Sequence, residues 1–205
     1  MAMLIGKKLG MTQFFDESGR VTPVCVIEAG PCPIVQVKTV EREGYTAIQI
    51  GFGEAKESRV VSPARGHFKK AGVKPVRILR EMRVDDVSSY KVGEALDVNT
   101  FEGVKHVNVT GTSKGHGFTG TIKRHNFQRG RKTHGNKNYR EPGSTGCSAY
   151  PSRVFPGKRM AGRHGGVRRT VRNLELVGID AENNLLFVRG AVPGSKSGIV
   201  LVRTA

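Results

Sequence analysis

Residues 111–172 read GTSKGHGFTGTIKRHNFQRGRKTHGNKNYREPGSTGCSAYPSRVFPGKRMAGRHGGVRRTVR. This stretch governs the architecture, because it is built on different terms from everything around it. It holds 15 of the chain's 34 lysines and arginines and one of its 17 acids, Glu141, for a net charge of +14. It also holds 12 of the 27 glycines and four of the six histidines. Only Ile122, Val154, Val167 and Val171 supply branched aliphatic side chains, against 39 such residues elsewhere. So few apolar groups cannot offset the chain entropy of 62 residues, and the stretch is expected to lie extended and to order against a partner. It is also far longer than an ordinary connection between elements, and long coreless connections are functional or disordered.

Outward from this stretch the pattern changes. The other 143 residues carry 19 bases and 16 acids, nearly balanced. Short β-type runs recur at 2–5, 11–15, 21–28, 34–39 and 46–51, separated by turn chemistry at Asp16-Glu-Ser-Gly19, Gly30-Pro-Cys-Pro33 and Glu41-Arg-Glu-Gly44. The run 21–28 has apolar residues on both alternating faces, as in a strand covered on both sides. Strands at 95–98 and 104–110 precede the basic stretch; strands at 174–179, 185–189 and 199–203 follow it, the first two joined by a polar turn at 181–184. One helix is predicted at 63–71, with Ser62 as its cap, Pro63 at its first position and Gly72 at its end. The predicted fold is mostly β: a β-barrel body from 1–110 and 173–205, a small α+β insert at about 55–92, and a long extended basic arm at 111–172.

A formal net charge of +17 points to a polyanion, first nucleic acid and second an anionic membrane surface. The membrane reading needs an apolar span or a basic amphipathic helix, and the sequence has neither. Its first ten residues, broken by Gly6 and Lys7, read as neither a signal nor a transit peptide. Three cysteines, Cys25, Cys32 and Cys147, form no disulfide framework and fit a reducing cytosol.

Gly115-His-Gly-Phe-Thr-Gly120 matches a dinucleotide fingerprint formally. That site also requires a helix whose N-terminus holds the pyrophosphate, and residues 121–130 carry no helical apolar stripe. The glycines are better read as letting backbone N–H groups approach phosphate. His116, His125, His134 and His164 lack the tight pairing of a zinc site, so no metal and no cofactor are expected. No catalytic constellation stands out; Cys147 with one of the histidines is the sole nucleophile candidate, and the chain is not expected to be an enzyme or to take a small-molecule substrate. The candidate nucleic-acid contacts are therefore cationic: Lys114, His116, Lys123, Arg124, His125, Arg129, Arg131, Lys132, His134, Lys137, Arg140, Arg153, Lys158, Arg159, Arg163, His164, Arg168, Arg169 and Arg172. Each histidine either contacts phosphate or base or is simply solvated. Phe118, Phe127, Tyr139, Tyr150 and Phe155 lie among these cations and either stack on unpaired nucleotides or pin the arm to the barrel.

Particular residues carry a family resemblance. Ile5-Gly-Lys-Lys-Leu-Gly-Met-Thr12, Gly66-His-Phe-Lys-Lys-Ala-Gly72, Lys158-Arg-Met-Ala-Gly162 and Gly190-Ala-Val-Pro-Gly194 all fit one pattern. The most specific stretch sets Phe101, Asn108, Gly111, Ser113, Gly115, His116, Gly117, Gly120 and Arg124 at its spacing. The chain resembles, over essentially its whole length, the bacterial-type family of universal large-ribosomal-subunit protein three (uL3). The resemblance implies a barrel on the outside of the subunit and an arm running between rRNA helices toward the peptidyl transferase centre. It implies early binding near the 3′ end of 23S rRNA, a part in nucleating assembly, and large-subunit proteins fourteen and nineteen as neighbours in the cytoplasmic ribosome. By motif position the arm tip comprises Gly143, Ser144, Thr145, Gly146, Cys147, Ser148, Ala149 and Tyr150. Ala149 stands where many bacterial relatives carry a glutamine that in some is methylated, so that modification is not expected.

Overall fold

The structure, a computed structural model, describes residues 2–15 and 18–205. The predicted turn at Asp16-Glu-Ser-Gly19 therefore falls partly, at residues 16 and 17, outside the described residues. The chain divides into two compact units, one of Met1–Ser113 with Arg168–Ala205 and the other of Lys114–Val167.

The first unit opens with β1 (Met3–Phe15) and β2 (Val21–Ala29). A second group follows: β3 (Cys32–Lys38), helix α1 (Val40–Glu43), β4 (Ala47–Glu54), helix α2 (Ser62–Ala71), β5 (Val76–Arg83) and β6 (Ala95–Leu96). β7 (His106–Thr112) leads into the second unit, which contains β8 (Phe118–Thr119), helix α3 (Thr121–His125) and β9 (Gly162–Arg163). The first unit resumes with β10 (Arg168–Asp180), β11 (Leu185–Arg189) and β12 (Ile199–Thr204).

Six strands close an antiparallel barrel in the order β1-β12-β7-β10-β11-β2, so none of them is left as a free edge. β1 is one continuous strand where the sequence pattern suggests two; Lys8 to Gly10 looks like an interruption and is a register shift within the pairing to β2. β10 also starts earlier than the pattern suggests. Arg168, Arg169, Thr170 and Val171 pair with Thr112, Gly111, Thr110 and Val109, so the two ends of the basic stretch lie in barrel strands.

β5, β4, β3 and β6 form a separate sheet in that order, whereas the sequence reading sets β3 and β4 in the barrel. Apolar runs announce that a strand is covered, not which sheet it joins, and here β5 recruits β4 through seven paired positions from Ala47↔Arg83 to Glu54↔Val76. β5 itself escapes prediction because Val-Arg-Ile-Leu-Arg-Glu-Met-Arg mixes charge into its apolar positions, and most of it is half-buried or exposed. One continuous core joins barrel and sheet: Leu4, Ile5, Ile27, Val107, Leu186 and Val202 cluster with Ile34, Ile48 and Ile50. The 3-10 turn Val98–Phe101 adds Val98 and Phe101, three residues apart on one side and both buried. Each such side chain contributes about 1.5–3 kcal/mol by leaving water.

α2 ends as predicted, with Gly72 left-handed (φ 66°) and the Val73 N–H bonded to the Phe68 carbonyl at 3.1 Å. Its start differs. Val61 is the cap, and Ser62 is already helical without a capping hydrogen bond. The Arg65 N–H, which a Ser62 cap would have satisfied, instead donates to the Val61 carbonyl at 3.0 Å, lengthening the helix by one residue.

Candidate nucleic-acid interface

Lys114–Val167 contains only one acid, Glu141, and little regular structure, so its shape rests on specific polar contacts. At its entry, Phe118 pairs with Arg163 and Thr119 with Gly162. Two further backbone bonds continue this ladder: His116 N–H to the His164 carbonyl at 2.8 Å and His164 N–H to the Gly117 carbonyl at 2.9 Å. Gly165 follows with φ +71°, and a side chain there would collide with the Lys114 carbonyl, so glycine is required on both counts. The pairing brings the His116 and His164 rings to 4.9 Å between centroids. His164 is half-buried, its Nδ1 lacks a hydrogen-bond partner, and its pKa is held below the usual histidine value by desolvation and by the charges of His116, Lys123, Arg124 and His125.

A helix does follow Gly120, contrary to the sequence reading: α3, five residues closed by left-handed Asn126 (φ 59°). It does not restore a dinucleotide site. The glycines precede a two-residue antiparallel strand rather than a parallel βαβ unit, and the helix's last turn is Lys123, Arg124 and His125. Two of these side chains turn inward. Arg124 Nη1 donates to the Met160 carbonyl at 2.7 Å, and His125 Nε2 lies 3.0 Å from the same oxygen. Both are half-buried.

Further along, Gly130 N–H donates to the Tyr139 carbonyl at 3.1 Å and closes a loop. Asn136 organises that loop through Nδ2, which donates to the Arg131 carbonyl at 2.8 Å and the Asn138 carbonyl at 3.2 Å. Arg129 and Arg140 both lie against the Tyr139 ring, at 5.6 and 5.7 Å from its centroid. The tip from Gly143 through Ser144, Thr145, Gly146, Cys147, Ser148 and Ala149 to Tyr150 is exposed throughout; the Ser144 hydroxyl bridges the Gly146 backbone and the Ser152 hydroxyl donates to the Ala149 carbonyl. Phe118, Tyr150 and Phe155 are 80%, 86% and 59% exposed, which leaves their faces open for stacking.

Of the residues expected to meet a polyanion, Arg124, His125 and His164 are half-buried; the other sixteen are exposed. Lys38–Glu81, Lys74–Glu54 and Arg189–Glu175 are the ion pairs among the described residues; all lie in the first unit, and no lysine or arginine of Lys114–Val167 takes part in one. The interface therefore offers uncompensated charge. Sequence reasoning misses one further group. Arg80 of β5 and Arg203 of β12 share a cavity of about 320 Å³ with Arg168, and Arg203 Nε is buried without a partner. No sequence spacing announces this, because β10 and β12 meet as neighbours of β7 in the barrel and β5 comes from the other sheet.

Cys25 and Cys32 are buried free thiols and Cys147 is an exposed one; burial pushes the Cys32 thiol up to about 12. Among the described residues no group of three or more His, Cys, Asp and Glu side chains is placed to hold a metal ion, and no helix is long and apolar enough to cross a membrane.

Fold and surface together define a basic β-barrel protein that carries a glycine-rich cationic unit between two neighbouring barrel strands. A model of the family described as ribosomal protein L3 matches residues 88–184. The large ribosomal subunit protein uL3 of Picosynechococcus sp. is 52% identical over 200 residues, covering 97% of this chain and 94% of that one. Its counterpart in Corynebacterium aurimucosum is 54% identical over 203 residues, with 98% and 93% covered, and that of Heliobacterium modesticaldum 52% identical over 202 residues, with 98% and 96% covered. The chain belongs to the uL3 family of ribosomal proteins, which are structural proteins and not enzymes.

Proposed function

We propose that this chain is a structural constituent of the large ribosomal subunit, that its barrel anchors it there, and that Lys114–Val167 acts as an arm neutralising phosphates of 23S rRNA. The observation that carries this reading is the unit's run of exposed cations outside any ion pair, with a single acid among them. Closely packed RNA helices repel one another, and cations between them lower that cost. Binding near the 3′ end of 23S rRNA, a role in nucleating assembly, a tip at 143–150 close to the peptidyl transferase centre, and contact with proteins fourteen and nineteen are the finer parts of the same proposal. They rest on the family resemblance, and the exposed, uncharged tip is consistent with them.

Two measurements test it. In a cell lysate the chain should sediment with the large subunit, with almost none free. Its affinity for 23S rRNA fragments should fall steeply with salt, by about 0.9 in the log–log slope for each duplex phosphate neutralised. A slope near zero, or a mostly free chain, would overturn the reading.

A further inference from the structure

One cavity in Lys114–Val167 is unlike the rest of that unit. Phe127 and Met160 line it together with the buried Thr121 and part of the tip, and Arg140, Lys158 and Arg159 are the charged residues of its lining. It measures about 450 Å³, within the roughly 300–1,000 Å³ typical of small-ligand pockets. The two basic side chains that turn inward both brace it. Arg124 and His125 hold the Met160 carbonyl, and the His125 ring lies 6.1 Å from that of Phe127. Two such groups fixing one backbone oxygen make a pre-organised wall, which lowers the ordering cost of binding.

We propose that this cavity receives one unpaired nucleotide of an RNA strand, its base against Phe127 and Met160 and its phosphate among Arg140, Lys158 and Arg159. Charge selects the occupant: three cations line the cavity and no acid does, so the ligand is anionic. The apolar lining requires that the same ligand carry a flat, weakly hydrated part. A nucleotide combines both, and a base inside a duplex cannot reach such a pocket without leaving its stack. The inference rests on the RNA-binding role proposed above and adds a specific subsite to it.

The test uses the full chain and two RNA hairpins, one carrying a single bulged 2-aminopurine and one with the same base fully paired. The bulged hairpin should bind about tenfold more tightly, within the range that stacking of one base supplies, with a change in 2-aminopurine fluorescence on binding. Phe127→Leu, which keeps an apolar side chain but removes the aromatic face, should abolish most of that preference and leave affinity for the paired hairpin unchanged. Arg140→Gln should weaken the bulged hairpin more than the paired one. Equal binding of both hairpins by the parent chain, or an undiminished preference in Phe127→Leu, would overturn the subsite while leaving salt-dependent RNA binding intact. Binding of neither hairpin would overturn both readings. Displacement of the bulged hairpin by free adenosine monophosphate at matching concentration would reassign the cavity to free nucleotides and so also overturn the proposal.

Discussion

The two units of this chain are specified in opposite ways. The first is held by what it hides: Phe101, Leu4, Ile27 and Leu186 are fully buried, and its 22 bases face 16 acids. The second shows most of what it has. Among the described residues of Lys114–Val167 only Thr119 and Thr121 are buried, so its order comes from carbonyls and glycines rather than from an apolar core. A region of this kind has little stability of its own to lose and much to gain from a partner, whereas the barrel is complete without one.

Substitutions can set the two units against each other. The largest effect should come from the core. Phe101→Ala should destabilise the first unit by about 3–5 kcal/mol, a large part of a typical domain's stability, seen as a lowered melting temperature. Replacing Arg131, Lys132 and Lys137 together with glutamine should do the reverse. Melting should be unchanged within about 0.5 kcal/mol, since all three are exposed, while the salt dependence of RNA binding flattens by about 0.9 for each duplex phosphate no longer neutralised. Gly165→Ala should cost about 1–3 kcal/mol, because it adds a collision with the Lys114 carbonyl to a left-handed backbone. Hydrogen exchange should quicken at His116 and His164 and stay unchanged across the barrel.

Acid should separate the two units as well. His164 has a lowered pKa, so its neutral form is favoured in the folded state; that contribution is present above the unfolded value near 6.5 and is lost as pH falls through the folded pKa. Glu81 also has a lowered pKa, through hydrogen bonds from Lys38 and Tyr45, so its contribution is present above the unfolded value of 4.5 and is lost only at more acid pH. On acidification, amide exchange should therefore rise first in Lys114–Val167 and later in the sheet around Glu81. The smallest effect belongs to the exposed Arg189–Glu175 pair, 2.7 Å apart: Glu175→Gln should shift stability by no more than about 1 kcal/mol in a chemical denaturation curve.

Much of the barrel is legible in the sequence because its strands are bounded by glycine, proline and polar turns, and the end of α2 is legible because Gly72 can close a helix in a way other residues rarely do. What escapes reading has a common physical cause. The one-piece β1 depends on a bulge near Lys8, β10 begins on arginines, and β5 interleaves charge with apolar residues, so each owes its form to pairing with another strand and not to its own pattern. The candidate interface is legible as composition but not as individual roles. Arg124 and His125 look like any other basic residues in the sequence, and only the fold reveals that they hold a carbonyl some 35 residues away. The same holds for Arg80 and Arg203, which sit far apart in the chain and share one cavity with Arg168.

The pairing of Thr112 with Arg168 has a further consequence. The chain leaves and re-enters the barrel at opposed positions of one ladder, so the barrel holds the two ends of Lys114–Val167 together whatever that segment contains. Lengthening such a loop costs the scaffold little, about 0.6 kcal/mol for each doubling. The segment is thus a cassette: its length can change at little cost to the socket that receives it, and the socket keeps its shape.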